Sequence, residues 1–341
     1  MPDTERSILR AGERFGSFEV IRRLGKGGMG EVYLVGKRFS LDRFAVKVLD
    51  PGIAERHPVT VDRFIREAEF AMKVRHPNLV EVYDAGRDPD TGLCYITMEY
   101  LPGGSLKDLI AADGVMAIPG VLTIANDIAR ALAFIDSEGM VHRDVKPDNI
   151  LFSADGSAKL ADLGITRFSG AEEEDSAESA ASDCVIGTPA YMAPEQMLDA
   201  HAVDARADVY SLGVVMYEML AGRRPDEGDN AMRKLAKALE GMSFADVRLL
   251  RPDTPDYLAA LIARMTSPSP DRRPANARVV IGYLCHPERA AELVSDLTSP
   301  VEEEPERGPW YRDRGVLYAL TAMLLALEAF AVTLVSVFRR Y

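Results

Sequence analysis

His142-Arg143-Asp144-Val145-Lys146-Pro147-Asp148-Asn149 is followed, a dozen residues on, by Ala161-Asp162-Leu163-Gly164. Any one of these aspartates reads most simply as a turn or cap residue. The ordered set does not. Carboxylate and amide oxygens at this spacing suit a magnesium–phosphate site, because Mg²⁺ prefers oxygen ligands and shares them with substrate phosphates.

Two signals upstream point to the same chemistry. Gly25-Lys26-Gly27-Gly28-Met29-Gly30 is a loop in which glycines let backbone amides approach phosphate oxygens closely. GxGxxG alone is weak, since dinucleotide-binding folds use it to open a helix. Here the next residues are Glu31-Val32-Tyr33-Leu34-Val35, alternating and β-prone, so the loop joins two strands. No Gly-Lys-Ser/Thr follows, which excludes a Walker A loop. Lys47 closes the run Ala45-Val46-Lys47. A lone strand lysine is usually solvated; Glu67, in the middle of the next expected helix, is a partner that could aim the ammonium at phosphates.

Taken together, these motifs resemble the eukaryotic-like protein kinases, in particular the bacterial Hanks-type serine/threonine kinases. The resemblance spans roughly residues 15–284, with the motifs in order. It implies a two-lobed α+β fold, ATP and Mg²⁺ as cofactors, and protein substrates bearing serine or threonine. It also implies roles. Asp144 is the catalytic base, with Lys146, Asn149 and Thr188 beside it. Asn149 and Asp162 hold Mg²⁺. Lys47 contacts ATP phosphates and pairs with Glu67, and Gly25, Gly27 and Gly30 cover them. Leu24, Val32, Ala45 and Leu151 sandwich the adenine, Met98 is the gatekeeper, and Glu99, Tyr100 and Leu101 supply hinge backbone. Residues 187–195, GTPAYMAPE, match the end of an activation segment, and Asp208 and Arg273 match C-lobe anchors, Arg273 pairing with Glu195. Lys146 and Thr188 are the serine/threonine-type features. One departure is Leu163, where the family has Phe.

Composition agrees. A net charge of −13 lacks the basic footprint that nucleic-acid binding requires. The three cysteines, Cys94, Cys184 and Cys285, are scattered, which points to neither a disulfide framework nor a zinc site. The first residues carry charges and no apolar run, unlike a signal peptide. Between Asp162 and Glu195 lies a small, acidic stretch containing Ser179 and Ser182. These are candidate phosphosites, because in related kinases the arginine at Arg143 pairs with a phosphorylated residue of this segment.

The expected organisation is a polar tail at 1–14, the kinase domain at 15–285, a Pro/Glu-rich linker at 286–315, a transmembrane helix at 316–338 and a short tail at 339–341. Residues 316–338 are apolar apart from Glu328 and exceed the ~20 needed to cross a bilayer core. The kinase would then face the cytoplasm as a single-pass protein of the cell membrane. Ala319, Ala322, Ala326, Ala329, Thr333 and Ser336 form a small-residue seam that suits a homodimer. The competing reading is a pseudokinase, a scaffold of the same fold. It predicts loss of Lys47, Asp144, Asn149 or Asp162, and all four are present.

Overall fold

The computed structural model describes residues 7–37, 40–56, 58–162, 190–198 and 203–286, without the side chains of residues 58, 59, 63 and 67. Thr188, Leu163, Ser179, Ser182 and residues 287–341 therefore lie outside the described residues, and so do the expected linker and transmembrane helix.

Strands β1 (Arg14–Phe15), β2 (Phe18–Gly27), β3 (Gly30–Lys37), β4 (Arg43–Leu49), β5 (Val82–Arg87) and β6 (Cys94–Glu99) form one antiparallel sheet in the order β1-β2-β3-β4-β6-β5. Alternation sorts their side chains onto two faces. Ala45, Leu49, Ile96 and Met98, with Val32 at its edge, pack on one face against Phe64 and Ala68. Those two belong to α2 (Pro58–Ala71), which follows the short α1 (Pro51–Arg56). Val20, Tyr33, Val35, Val46 and Val48 pack on the other face with Leu9 and Phe15. The expected polar tail is thus corrected from residue 7 onward: Leu9 is 2% exposed, and Gly12 N donates to Val20 O at 2.8 Å. Residues 7–13 belong to the small lobe.

The chain then crosses into a helical lobe built from α3 (Leu106–Asp113), α4 (Ile118–Ser137), β7 (Ile150–Phe152), β8 (Ala158–Leu160), α5 (Pro194–Leu198), α6 (Ala205–Ala221), α7 (Ala231–Leu239), α8 (Asp256–Met265) and α9 (Ala277–Cys285). Thirteen of the residues of α6 are buried, which makes it the central helix, apolar on every side. α4 is long and apolar enough to span a membrane by composition, but Val121, Ala125, Ile128 and Leu132 bury it in this core.

The crossing itself is fixed by backbone pairing. Gly103 N donates to Phe152 O at 2.9 Å and Phe152 N to Gly104 O at 3.0 Å. A Cβ on Gly103 would lie 2.6 Å from Phe152 Cβ and 2.8 Å from its carbonyl oxygen, so only glycine permits this approach. Val80 N donates to Leu160 O and Leu160 N to Asn78 O, a second tie between the lobes. Together they set the cleft.

Candidate active site

The roof of the cleft is the hairpin between β2 and β3, in register at Gly27 opposite Gly30. Its root is immobilised by crowding. A Cβ on Gly30 would sit 2.0 Å from Val48 O, and Asp50 N donates to Met29 O at 2.9 Å. Added Cβ atoms on Gly25 and Gly28 meet nothing within 4 Å. The loop therefore has a fixed base and an open side, the shape that backbone amides need to receive an anionic group.

Behind it, Leu24, Val32, Ala45, Met98, Leu101 and Leu151 share one apolar cluster with Val80 and Ala161. Ala45 and Met98 are paired across β4 and β6. Leu151 arrives from the other lobe, held by the Gly103–Phe152 pairing. Glu99 ends β6, and its carboxylate accepts both a 2.9 Å and a 2.7 Å bond from Lys159. That cross-lobe clamp was not legible in the sequence, since a lysine sixty positions away carries no pattern.

The floor is the segment 142–149. Asp208, buried on α6, accepts the backbone N–H groups of His142 and Arg143, each at 2.7 Å. This holds Arg143 in the left-handed region, φ 67°, a conformation that costs a non-glycine residue ~1–2 kcal/mol. Burial pushes the Asp208 carboxyl up, with His142 and the two amides pulling the other way. The turn delivers Asp144 to the cleft. Lys146 Nζ forks onto both carboxylate oxygens at 2.9 and 2.7 Å, and Asn149 Nδ2 donates to Oδ2 and to the Asp144 carbonyl, each at 2.9 Å.

Asp162 follows β8 and also has a positive φ, 53°. Its Oδ1 accepts from Lys47 Nζ at 2.8 Å. Loss of hydration in the cleft would raise its carboxyl; the Lys47 ammonium outweighs this and holds it below the usual carboxylate range, aided by His142 and Lys146. The expected partner Glu67 lies on α2, with its side chain outside the described residues. Ala161 N donates to Asn149 O at 2.8 Å, so the chain stretches carrying Asn149 and Asp162 are tied directly. Their donors are all oxygens. Among the described residues no group of three or more His, Cys, Asp or Glu side chains converges.

Below the cleft, Arg273 is fully buried and forks onto Glu195 at 2.6 and 2.8 Å. It also donates to the carbonyls of Ser267, Arg206 and Pro268 and lies 4.8 Å from the Tyr210 ring centroid. Tyr191 donates to Glu218 at 2.6 Å. Burial, and then the Glu218 carboxylate, push its phenol far above the ordinary value. The downstream end of the segment containing Thr188 is thus anchored to α6.

A two-lobed fold with a glycine hairpin over a Lys–Asp pair and an Asp–Lys–Asn cluster defines the protein kinase class, and a family model described as the protein kinase domain matches residues 18–286. The chain belongs to the protein kinase family. It is 39% identical over 259 residues to the serine/threonine-protein kinase PknB of Mycolicibacterium smegmatis, covering 75% of this chain and 40% of that protein. To the serine/threonine-protein kinase PrkC of Bacillus subtilis it is 35% identical over 259 residues, covering 76% and 38%. The crystal structure of the Mycobacterium tuberculosis PknI kinase domain superposes with a TM-score of 0.62 at 28% identity, covering 82% of this chain and 99% of that one. The chain spans about two fifths of the length of these curated relatives.

Proposed function

We propose that this chain transfers the γ-phosphoryl group of ATP to serine and threonine hydroxyls of proteins. The convergence of Lys146 and Asn149 on the Asp144 carboxylate, facing the Lys47–Asp162 pair, carries the reading. Mg²⁺, when bound, would supply positive charge against the phosphates. Asn149 and Asp162 would hold it through oxygen, Asp162 while also paired with Lys47. Lys47 positions the α- and β-phosphates, and the glycine loop closes over them with backbone amides. Leu24, Val32, Ala45, Leu101 and Leu151 enclose the adenine beside the backbone of Glu99.

Asp144 orients the acceptor hydroxyl and takes its proton. Lys146 fixes that carboxylate in the resting cleft and lies where it can neutralise charge on the transferring phosphoryl, the electrostatic contribution that dominates this reaction class. Thr188 joins them as a serine/threonine-selective element. The scaffold reading, a pseudokinase of the same fold, is separated by one experiment: incubation with Mg-ATP and a generic protein acceptor. A kinase labels the acceptor and a scaffold does not.

Three further elements belong to the same reading. The kinase phosphorylates its own activation segment at Ser182, or at Ser179, and the phosphate orders the segment through charge-assisted bonds to Arg143. Activity and protease sensitivity unaltered by alanine at both serines would remove this element. Residues 316–338 anchor the chain in the cell membrane, with the kinase on the cytoplasmic side. The small-residue seam of that helix pairs two copies; leucine at Ala322 and Ala326 should lower crosslinked dimer and self-phosphorylation together.

A further inference from the structure

The residues ahead of β1 converge on the root of the glycine loop. Glu31, next to Gly30 on the inner strand β3, is 2% exposed although it is a charged residue. Its carboxylate accepts from Ser7 Oγ at 3.1 Å, from Ile8 N at 3.1 Å and from Arg23 at 3.1 Å, and also from the Tyr33 hydroxyl. Tyr33 is buried in turn, and its oxygen accepts from Leu9 N at 2.9 Å and lies 2.9 Å from Ser7 Oγ. Leu9 then fills the apolar layer with Phe15, Val35 and Val46. Burial would raise the Glu31 carboxyl, but the donors, Tyr33 foremost, hold it below its ordinary value, so it is ionised. A segment over twenty residues distant in sequence thus ties down β3 at the position where Gly30 admits no side chain.

We propose that residues 7–9 are a latch on the glycine-loop root and that Ser7 is a phosphorylation site whose modification releases it. The phosphate donor rests on the kinase reading above. In the step, Ser7 Oγ of one copy bonds to the γ-phosphorus of ATP held by another. The bond from that phosphorus to the β,γ-bridging oxygen breaks and its electron pair leaves with ADP. The hydroxyl proton passes to Asp144 of the copy that holds the ATP and then to water. The product carries ~−1.5 to −2 charge at an oxygen that sat 3.1 Å from an ionised carboxylate. It has also lost the proton that made the bond. Arg23, the cation in contact, is already engaged on Glu31. A phosphorylated latch cannot redock.

The test uses the full chain and limited trypsin digestion, following cleavage after the exposed Arg10. Ser7→Glu adds charge, Ser7→Gln adds the same bulk without it, and Ser7→Ala adds neither. Cleavage of Ser7→Glu should exceed that of Ser7→Gln by about tenfold, with Ser7→Ala close to wild type. After incubation with Mg-ATP, wild type should carry phosphate on Ser7. Asp144→Asn protein should gain it only when wild type is added. Equal cleavage of the Glu and Gln variants overturns the latch. An unmodified Ser7 in a tube where a protein acceptor is phosphorylated overturns the site. If the acceptor too stays unlabelled, the kinase reading has failed, and the Glu–Gln comparison still decides the latch.

Discussion

Asp208→Asn removes one formal charge and exchanges one oxygen for a nitrogen, at a position 4% exposed. The wild-type carboxylate accepts two backbone amides at 2.7 Å, each charge-assisted bond worth ~1.5–3 kcal/mol. Asparagine offers a single acceptor oxygen, so one N–H keeps its partner while the other meets an NH₂ group. That lost bond, together with an orphaned buried amide at ~1–3 kcal/mol, totals about 3–5 kcal/mol. Relief of the burial that pushes Asp208 up argues for the lower end. The loop it restrains holds Arg143 at φ 67°, a reserve of ~1–2 kcal/mol. The loss exceeds the strain, so the turn relaxes and Asp144 swings off its bearing. If half the loss falls on the competent loop, kcat drops by roughly 10- to 70-fold, and Tm falls by about 10 °C. Steady-state transfer to a protein acceptor and thermal unfolding check both. A kcat within twofold of wild type with unchanged Tm would refute the clamp.

Arg273→Met leaves Glu195 without its fork and three carbonyls without a donor; the expected destabilisation is ~3–5 kcal/mol, read by chemical denaturation, with Glu195→Gln added on top recovering part of it. Gly30→Ala drives a Cβ to 2.0 Å from Val48 O, so the KM for ATP should rise about tenfold or more through the displaced loop root, whereas Gly28→Ala, which meets nothing within 4 Å, should fold with unchanged stability. The Asp162 carboxyl is held low, so its pairing with Lys47 contributes above the ordinary carboxylate pKa of 3.8 and is lost as pH falls through the lowered folded value. In Lys47→Met only His142 and Lys146 oppose the loss of hydration in the cleft and the midpoint moves up, as a carboxyl carbon-13 titration would read; an unmoved midpoint would contradict the dominance of Lys47.

Much of the fold was legible because its signals are local. The alternation in β3 and β4 marks two faces within eight residues, and the apolar run of α6 marks the central helix. Asp144, Lys146 and Asn149 lie within six residues of one motif, and the family resemblance that motif carries named them beforehand. What escaped is carried by distance. Ile8-Leu9 is too short an apolar signal to show periodicity, and Glu31 reads as a solvated charge until residues 7–9 are seen above it. Lys159 on Glu99 and the buried Lys234 beside Asp226, 3.3 Å apart, likewise depend on chain segments that only the tertiary fold brings together. Glu67, the partner the sequence names for Lys47, has its side chain outside the described residues; the contact of Lys47 with Asp162 was not anticipated.

The central claim concerns Asp144, and the most direct measurement is transfer of labelled γ-phosphate from Mg-ATP to a protein acceptor by wild type and Asp144→Asn, with nucleotide affinity measured on both. The variant keeps Lys47, Asp162 and the glycine loop, so ATP affinity should change by less than about threefold while transfer falls by on the order of 10³ or more. Label in the wild-type reaction should reside on serine and threonine. Equal transfer by the two proteins, or nucleotide binding by wild type with no transfer to any protein, would contradict the account.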